Sequence, residues 1–394
     1  MLLRPTYFFL INWVVCLAID FMIGSWLPIF YTIYNDTYIY VFLCIFAMII
    51  GGVFGKIVVS ASLVDKIRKI FHVPINTLGS GTFWATILFF IFIVTGIERT
   101  FMVGSSWFTP VGIDAYRQLV TEDGENRLFP FLSVFNFFIF LAGAFLVHYR
   151  NSLSIGIKII LFIEIILFFY IGSARSLIFF VLLIAIFALV LTIGFRLWMV
   201  LVPFILAALF LIFGAIAGKD DPFGLVIYYL SPIHAFSELF SGAQVLGENY
   251  DLLSFRFLHS LLKNLGLIST QVTMLPYIET PLITNVYSVF YVYWHDFGWF
   301  SLIFWFLFGI CSDLIYRWYL KSKNFTSLSV LSLLLASITL SVFYDYFTSS
   351  AFVYISGLIL FFFFPDYRPL NSGKFDSHGF SDRVNACTQN RNFY

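Results

Sequence analysis

Long uninterrupted apolar runs constrain this chain more than any other feature of its sequence. A run of roughly 18 or more apolar residues is long enough to cross the hydrocarbon core of a bilayer as an α-helix. Hydrophobic residues make up 61% of the chain and charged residues 11%. The runs are continuous rather than alternating, which disfavours a transmembrane β-barrel. We therefore predict an all-α polytopic integral membrane protein.

The apolar runs predict about ten transmembrane helices. They cover residues 7–28, 38–59, 83–103, 129–148, 155–172, 176–194, 198–217, 297–316, 326–344 and 350–364. The chain then divides into a seven-span membrane region (1–217), a large outer loop with short amphipathic helices (218–296), a three-span membrane region (297–364) and a polar tail (365–394). No internal repeat is visible, which disfavours a transporter built from duplicated halves.

The distribution of Lys and Arg sets the predicted orientation. With the N-terminus in the cytoplasm, every inner loop is basic, as the positive-inside rule requires. The C-terminal tail then also lies in the cytoplasm. Of the 22 basic residues, those left on the outer side are Arg99, Arg117, Arg127, Arg175, Lys219, Arg256 and Lys263.

The longest interruption between apolar runs, Gly218–Thr284, concentrates charged and titratable residues on the outer side. Within it, Asp221-Pro222 and Ser231-Pro232 each combine an N-cap residue with proline at the first helical position. We therefore predict two short helices with a break between them, Pro222–Leu230 and Pro232–Phe240.

A third helix is predicted over Leu252–Leu265, with Asp251 as its N-cap. It is amphipathic, and its polar side carries Arg256, His259 and Lys263 at spacings of three and four residues. Two interpretations stay open. The basic side contacts lipid phosphate, or it forms one wall of a functional site.

Tyr and Trp are dense in the segment that follows, as is typical of a membrane–water interface. We predict an outer interfacial helix, Asn285–Asp296, with the eighth span starting near Phe297. The alternative is one long helix that buries His295 and Asp296 in hydrocarbon, which is costly unless the two pair or face a polar cavity.

Two acidic residues, Asp20 and Glu164, lie inside predicted spans. Charged groups at such positions are costly and face the interior of the helix bundle. They either line a groove for a lipid carrier or bridge helices, and the sequence does not choose between these roles.

Four stretches of the chain form a pattern together. They are Gly112-Ile113-Asp114-Ala115-Tyr116-Arg117, Gly172-Ser173-Ala174-Arg175-Ser176, Tyr228-Tyr229-Leu230-Ser231-Pro232, and Asn285-Val286-Tyr287-Ser288 with Asp296-Phe297-Gly298. With the series of apolar runs, they resemble the Wzy-type O-antigen (oligosaccharide repeat-unit) polymerases. The O-antigen ligases share the many-span layout with one large outer loop and are the nearest alternative. A lipid-linked oligosaccharide flippase or transporter is the alternative that is not an enzyme.

The resemblance implies an enzyme of the bacterial inner membrane. Such enzymes join undecaprenyl-diphosphate-linked oligosaccharide repeat units into O-antigen polysaccharide at the periplasmic face, so the large loop would be periplasmic. The implied reaction is a metal-independent, inverting glycosyl transfer without a cofactor. The implied partners are membrane lipid and a chain-length regulator of the Wzz type, and no nucleic acid is expected.

The departing lipid diphosphate builds negative charge, which a guanidinium matches best. Arg175 is the first candidate because the short connection between two spans fixes its position, and Arg256 is the second. His259 is the preferred base for the acceptor hydroxyl. By residue type alone, His234, Glu238 and the pair His295–Asp296 also qualify. The predicted catalytic residues are therefore Arg175, Arg256 and His259.

Further residues are predicted to bind the diphosphate or the sugars. They are Arg117, Lys263, Tyr228, His234, Glu238, Tyr287 and Asp296. Each also has a structural interpretation. His234 and Glu238 are spaced as an intrahelical i, i+4 pair, Asp296 is placed to cap the eighth span, and the tyrosines are typical of an interfacial belt.

Overall fold

A computed structural model describes residues 3–24, 33–58, 62–71, 75–121, 132–172, 175–197, 201, 208, 224–242, 253–254, 278–279, 283–284, 287–343, 347 and 351–364. The α-helices are α1 (Pro5–Gly24), α2 (Asn35–Val58), α3 (Ser62–Phe71), α4 (Gly81–Val103), α5 (Pro110–Thr121), α6 (Leu132–His148), α7 (Ile155–Gly172), α8 (Arg175–Ile193), α9 (Gly224–Phe240), α10 (Val289–Phe297), α11 (Ser301–Ser322), α12 (Phe325–Leu340) and α13 (Ala351–Phe363). Two short strands, β1 (Ile278–Glu279) and β2 (Ile283–Thr284), pair antiparallel.

The described part of the chain is predominantly helical and membrane-embedded. Within it, four helical segments are long and apolar enough to cross a membrane: Pro5–Ile23, Asn35–Val58, Gly81–Ser106 and Val289–Ser322. Shorter apolar helices are Phe137–His148, Phe179–Ile193 and Phe325–Leu340. Helices occupy every predicted span except 198–217, which lies outside the described residues apart from two isolated positions. The count of ten spans stays a prediction.

Helix α12 is the central helix of the bundle, in contact with α1, α6, α8, α11 and α13. Of its 16 residues, 14 are buried. Its serine and threonine side chains are small, and several hydroxyls are satisfied within the helix. Ser337 donates to the Leu333 carbonyl at 3.0 Å, and Asn324 caps the first turn by accepting from the Ser327 N–H at 2.9 Å. These bonds offset part of the cost of burying a helix with this much polar sequence, while the buried hydroxyls of Ser329 and Ser332 make no hydrogen bond with any residue that the structure describes.

Helices α2 and α11 cross at very short distance because glycines face each other there. A Cβ on Gly51 would overlap the Phe306 carbonyl oxygen, and one on Gly309 would overlap the Met48 carbonyl oxygen. Gly55 lies one turn after Gly51 in the same contact. Small residues at this spacing let two backbones approach closely in a membrane. This crossing fixes α11, and with it the helix α10 that precedes it.

A buried ion network closes one end of the bundle. The Asp313 carboxylate, 1% exposed, accepts from Arg4 Nε at 2.9 Å and from Arg317 Nε at 2.7 Å. The two guanidinium groups also donate to the carbonyls of Gly52 and Gly55, at 3.1 and 2.7 Å. The start of α1 and the ends of α2 and α11 therefore meet at this end. We call Arg4, Asp313 and Arg317 the basic-end network.

Two of the described helices were not predicted, α3 and α5. Helix α3 packs against α11 and α13, and its Arg68 side chain donates to the carbonyls of Phe361 and Phe364, at 3.0 and 2.6 Å. Helix α5 packs against the end of α4. Both helices are short and contain polar residues, so neither has the long apolar run on which the span prediction depended.

The predicted break in α9 is wrong, because the helix continues through Pro232. Proline removes one intrahelical hydrogen bond and normally kinks a helix. Here residues 230–238 are all buried, so packing on both sides of the proline holds the segment. Tertiary hydrogen bonds add to this. The Tyr229 carbonyl accepts from the Cys16 thiol (Sγ···O 3.9 Å), and the Pro232 carbonyl accepts from the Ser288 N–H at 3.4 Å.

The predicted break between the 285–296 helix and the eighth span is present, with shifted bounds, and the interfacial location of that helix stays a prediction. Helix α10 begins at Val289 rather than Asn285, and a single 3-10 turn follows it before α11 begins at Ser301. Gly298, with φ +52°, makes the change of direction. The Val289 N–H donates to the Ser341 carbonyl at 3.0 Å, so α10 starts against the end of α12.

Candidate functional site

Helix α9 lies against α1, α2 and α10, and buried polar side chains hold it there. His234 Nε2 lies 2.7 Å from Asp20 Oδ1, and each residue is 5% exposed. The Tyr38 hydroxyl donates to the second Asp20 oxygen at 3.3 Å. One turn on, Ser237 accepts from the Thr37 hydroxyl at 3.1 Å. Of the two roles that the sequence left open for Asp20, the structure shows the bridging of helices.

Glu238 lies one helical turn after His234 and is 6% exposed. Burial raises the pKa of its carboxyl above the ordinary value, and His234 opposes this by lowering it. His234 directs Nε2 at Asp20 rather than forming only the intrahelical pair that the sequence spacing suggested. Glu238 is therefore a protonatable carboxyl beside a buried imidazole–carboxylate pair.

Asp296, near the end of α10, is the most fully bonded carboxylate at this end of the bundle. Its Oδ1 accepts from the Leu253 N–H at 2.9 Å and lies 2.8 Å from His295 Nδ1. Its Oδ2 accepts from both the N–H and the hydroxyl of Ser254. The side chain is 0% exposed. Asp296 therefore does not cap the eighth span, which was the structural alternative to its predicted binding role, but ties the 253–254 segment to α10.

His295 shares this carboxylate but is not buried with it. Its side chain is 26% exposed, and its ring lies 5.8 Å from the Tyr291 ring between centroids. The pairing with Asp296 meets the condition under which these two residues can lie in an apolar environment.

Aromatic side chains join α2, α9 and α10 around these groups. Trp294 packs on Phe240 and Tyr40, with ring centroids 4.5 and 5.0 Å apart. Tyr287, predicted to bind sugar, is 1% exposed and stacks on Tyr291 at 4.7 Å. Its ring therefore contributes to the core, and neither face is open to a ligand in this conformation.

Helix α5 folds back on the end of α4. The Tyr116 hydroxyl donates to Glu98 Oε2 at 3.1 Å, and the Arg99 guanidinium lies over the Tyr116 ring, 4.3 Å from its centroid. All three residues are at least nine-tenths buried. Tyr116 belongs to a motif used for the family resemblance, and here it holds α5 in place.

The other predicted site residues are described only in part. The backbones of Arg117, Arg175 and Tyr228 lie in α5, α8 and α9, and their side chains lie outside what the structure describes. Helix α7 ends at Gly172 and α8 begins at Arg175, as expected for a short connection. Arg256, His259 and Lys263 lie outside the described residues, as do most of the third predicted helix and the tail from Pro365.

The sequence did not reveal the pairing of Asp20 with His234, nor Ser254 as a partner of Asp296. These partners are 214 and 42 residues apart in the chain, and no local spacing connects them. In comparisons with known proteins, the chain matches no family model, no curated protein and no solved structure.

Proposed function

We propose that this chain is a Wzy-type O-antigen polymerase of the bacterial inner membrane. It would transfer a growing oligosaccharide from its undecaprenyl-diphosphate carrier to a sugar hydroxyl of the next lipid-linked repeat unit, on the periplasmic face. The large loop would be periplasmic, and both termini cytoplasmic.

The observation that carries the proposal is the way Asp296 joins two elements at one end of the bundle. Its carboxylate holds His295 on α10 and the 253–254 segment together. That segment leads directly into the basic stretch containing Arg256 and Lys263. The described contacts therefore join a candidate proton acceptor to the start of the stretch that carries the predicted cations, and a glycosyl transfer from a lipid diphosphate needs both kinds of group.

Two further features support the proposal. The basic-end network lies at the start of α1 and the end of α11, while Asp20 and Asp296 lie toward their opposite ends. The two carboxylates, Asp20 and Asp296, and the basic-end network therefore lie at opposite ends of the bundle. This is the arrangement that the positive-inside rule predicts for a periplasmic site. Arg175 begins α8 only three positions after α7 ends, so the backbone of this arginine is fixed at a helix boundary.

Replacing Arg175 with Ala should abolish long-chain synthesis and leave the protein inserted. Losing one fixed donor to the leaving group lowers the rate by about 100-fold or more. The measurement is a gel ladder of lipopolysaccharide from cells in which this chain is the only polymerase. We expect lipid A–core with at most one repeat unit. Arg196, beyond the other end of α8, provides a matched arginine, and Arg196→Ala should keep the full ladder.

Deleting the gene separates the proposal from its two alternatives. Loss of a polymerase leaves single repeat units on lipid A–core. Loss of a ligase leaves long polymer on the lipid carrier and none on core. Loss of a flippase leaves repeat units on the carrier at the cytoplasmic face and bare core. Either of the last two patterns would contradict the polymerase assignment. Long chains from Arg175→Ala would contradict the role of Arg175 at the leaving group.

A further inference from the structure

We infer that His295 is the general base that accepts the proton of the acceptor sugar hydroxyl, and that Asp296 is its positioning residue. This rests on the proposed function and assigns the base to a residue other than His259, which the sequence favoured. Three observations carry it: the bonding of Asp296, the exposure of His295, and the position of the 253–254 segment.

The bonding of Asp296 fixes the tautomer of His295. Three donors already serve the two carboxylate oxygens: the N–H groups of Leu253 and Ser254 and the Ser254 hydroxyl. The carboxylate has acceptor capacity left toward His295 Nδ1, 2.8 Å away. The proton between the two groups therefore belongs on Nδ1, and Nε2 keeps the lone pair that a base needs.

The solvent exposure of its side chain distinguishes His295 from His234, which also pairs with a carboxylate. The His234 side chain is 6% exposed, and it turns Nε2 toward the buried Asp20. The His295 side chain is 26% exposed, while its partner Asp296 is 0% exposed. A buried carboxylate behind a partly exposed imidazole is the arrangement by which a base is oriented without being closed off from substrate.

The 253–254 segment lies beside this imidazole because the same carboxylate binds both. In sequence, this segment is followed by the predicted basic helix. Asp296 therefore joins the candidate base to the start of the stretch from which the sequence predicts the cations.

Atoms and charge balance in the transfer step. The acceptor hydroxyl gives its proton to His295 Nε2 as its oxygen bonds to the anomeric carbon of the donor. The bond from that carbon to the diphosphate oxygen breaks, and its electron pair leaves with undecaprenyl diphosphate. Attack from the face opposite the leaving group inverts the anomeric centre. The imidazolium, stabilised by Asp296, then releases its proton to water.

The test uses the full-length protein in lipid nanodiscs with lipid-linked repeat units. General-base catalysis contributes about 100-fold or more, so His295→Ala should lose that much rate, and added imidazole should restore part of it.

Asp296→Asn should lower the rate and move the acid limb of the pH–rate profile to lower pH, because a neutral amide no longer stabilises the imidazolium. Ser254→Ala removes only the hydroxyl donor to Asp296 and keeps the N–H donor. It should therefore lower the rate less than Asp296→Asn does.

The titratable groups that face His295 among the described residues are Asp296 and Tyr291. Ile303→Ala, an exposed position on α11, controls for insertion. The inference is overturned if wild type polymerises but His295→Ala keeps its rate, or if the acid limb disappears in His259→Ala and persists in His295→Ala. If inserted wild type does not polymerise at all, the proposed function fails, and the inference fails with it.

Discussion

A carboxylate can orient a histidine toward a substrate or fix one helix to another, and two carboxylate–histidine pairs lie among the residues that the structure describes. Asp20 and His234 are both buried and connect α1 to α9. Removing one partner of such a pair leaves an uncompensated polar group in the core. Asp296 is equally buried, but its histidine is partly exposed. The difference in exposure, rather than in residue type, separates a structural pair from a candidate catalytic one.

At the same scale, replacing Glu238 with Gln should stabilise the protein at neutral pH. Burial raises the folded-state pKa of this carboxyl above the ordinary 4.5, so ionising it within the fold costs free energy. Below the unfolded-state pKa the carboxyl is protonated in both states, so the folded protein keeps the full stability that the neutral carboxyl allows. As the pH rises through the folded-state pKa, the buried carboxyl ionises and this stability is lost.

The measurement is thermal unfolding of wild type and Glu238→Gln at about pH 4 and about pH 7.5. We expect a higher melting temperature for Glu238→Gln at the higher pH and no difference at the lower. Because His234 lowers the Glu238 pKa, the gain should be larger in a His234→Gln background. An equal effect of Glu238→Gln at both pH values would show that its charge is not the cause.

At the scale of elements, the sequence located helices well but not their interruptions. Apolar runs predicted α1, α2, α4, α6 and α7 to within a few residues, because a helix that crosses hydrocarbon must satisfy its own backbone. The proline rule failed at α9, where packing outweighs the loss of one hydrogen bond. The break before the eighth span was predicted from the dense Tyr and Trp of Asn285–Asp296, and in the structure the positive φ of Gly298 ends α10 there.

The crossing of α2 and α11 gives a prediction at this scale. Gly51→Ala and Gly309→Ala should each destabilise the protein by about 1–3 kcal/mol, because a methyl group would overlap a facing carbonyl oxygen. Gly357 in α13 is the matched control, since a methyl group there would meet no described atom within 4 Å. Gly357→Ala should stabilise by about 0.5–1 kcal/mol.

Thermal unfolding in detergent, with resistance to proteolysis as a second readout, measures all three variants. Melting of Gly51→Ala at the temperature of Gly357→Ala would show that α2 and α11 do not cross as closely as described. Because α10 precedes α11 directly, Gly309→Ala should also reduce polymerisation more than Gly357→Ala does.

For the whole molecule, the two ends of the bundle differ in charge and in chemistry. One end carries the basic-end network and the Arg68 side chain against the end of α13. The opposite end carries α9, α10 and the carboxylates Asp20 and Asp296. This polarity is a property of the assembled bundle, since its members come from both halves of the chain.

Cysteine labelling tests the proposed orientation. In a variant without the four native cysteines, Ser105→Cys, exposed after α4, should react with a membrane-impermeant maleimide in cells with a permeabilised outer membrane. Asn151→Cys, exposed in the turn after α6, should react only after the inner membrane is lysed. The reverse labelling pattern would place His295 and Asp296 on the cytoplasmic side and contradict the proposed function.

The sequence by itself determined that this is a helical membrane protein, where most of its helices lie and which residues are candidates for chemistry. These follow from local requirements: an apolar run long enough for a bilayer, basic loops, and titratable side chains in a long polar stretch. Only the tertiary structure decided which candidates meet. Asp20 pairs with His234, and Asp296 binds Ser254, through contacts between elements far apart in the chain. Whether a carboxylate is buried and the histidine paired with it is exposed depends on how helices pack. A residue pattern within one segment does not predict this.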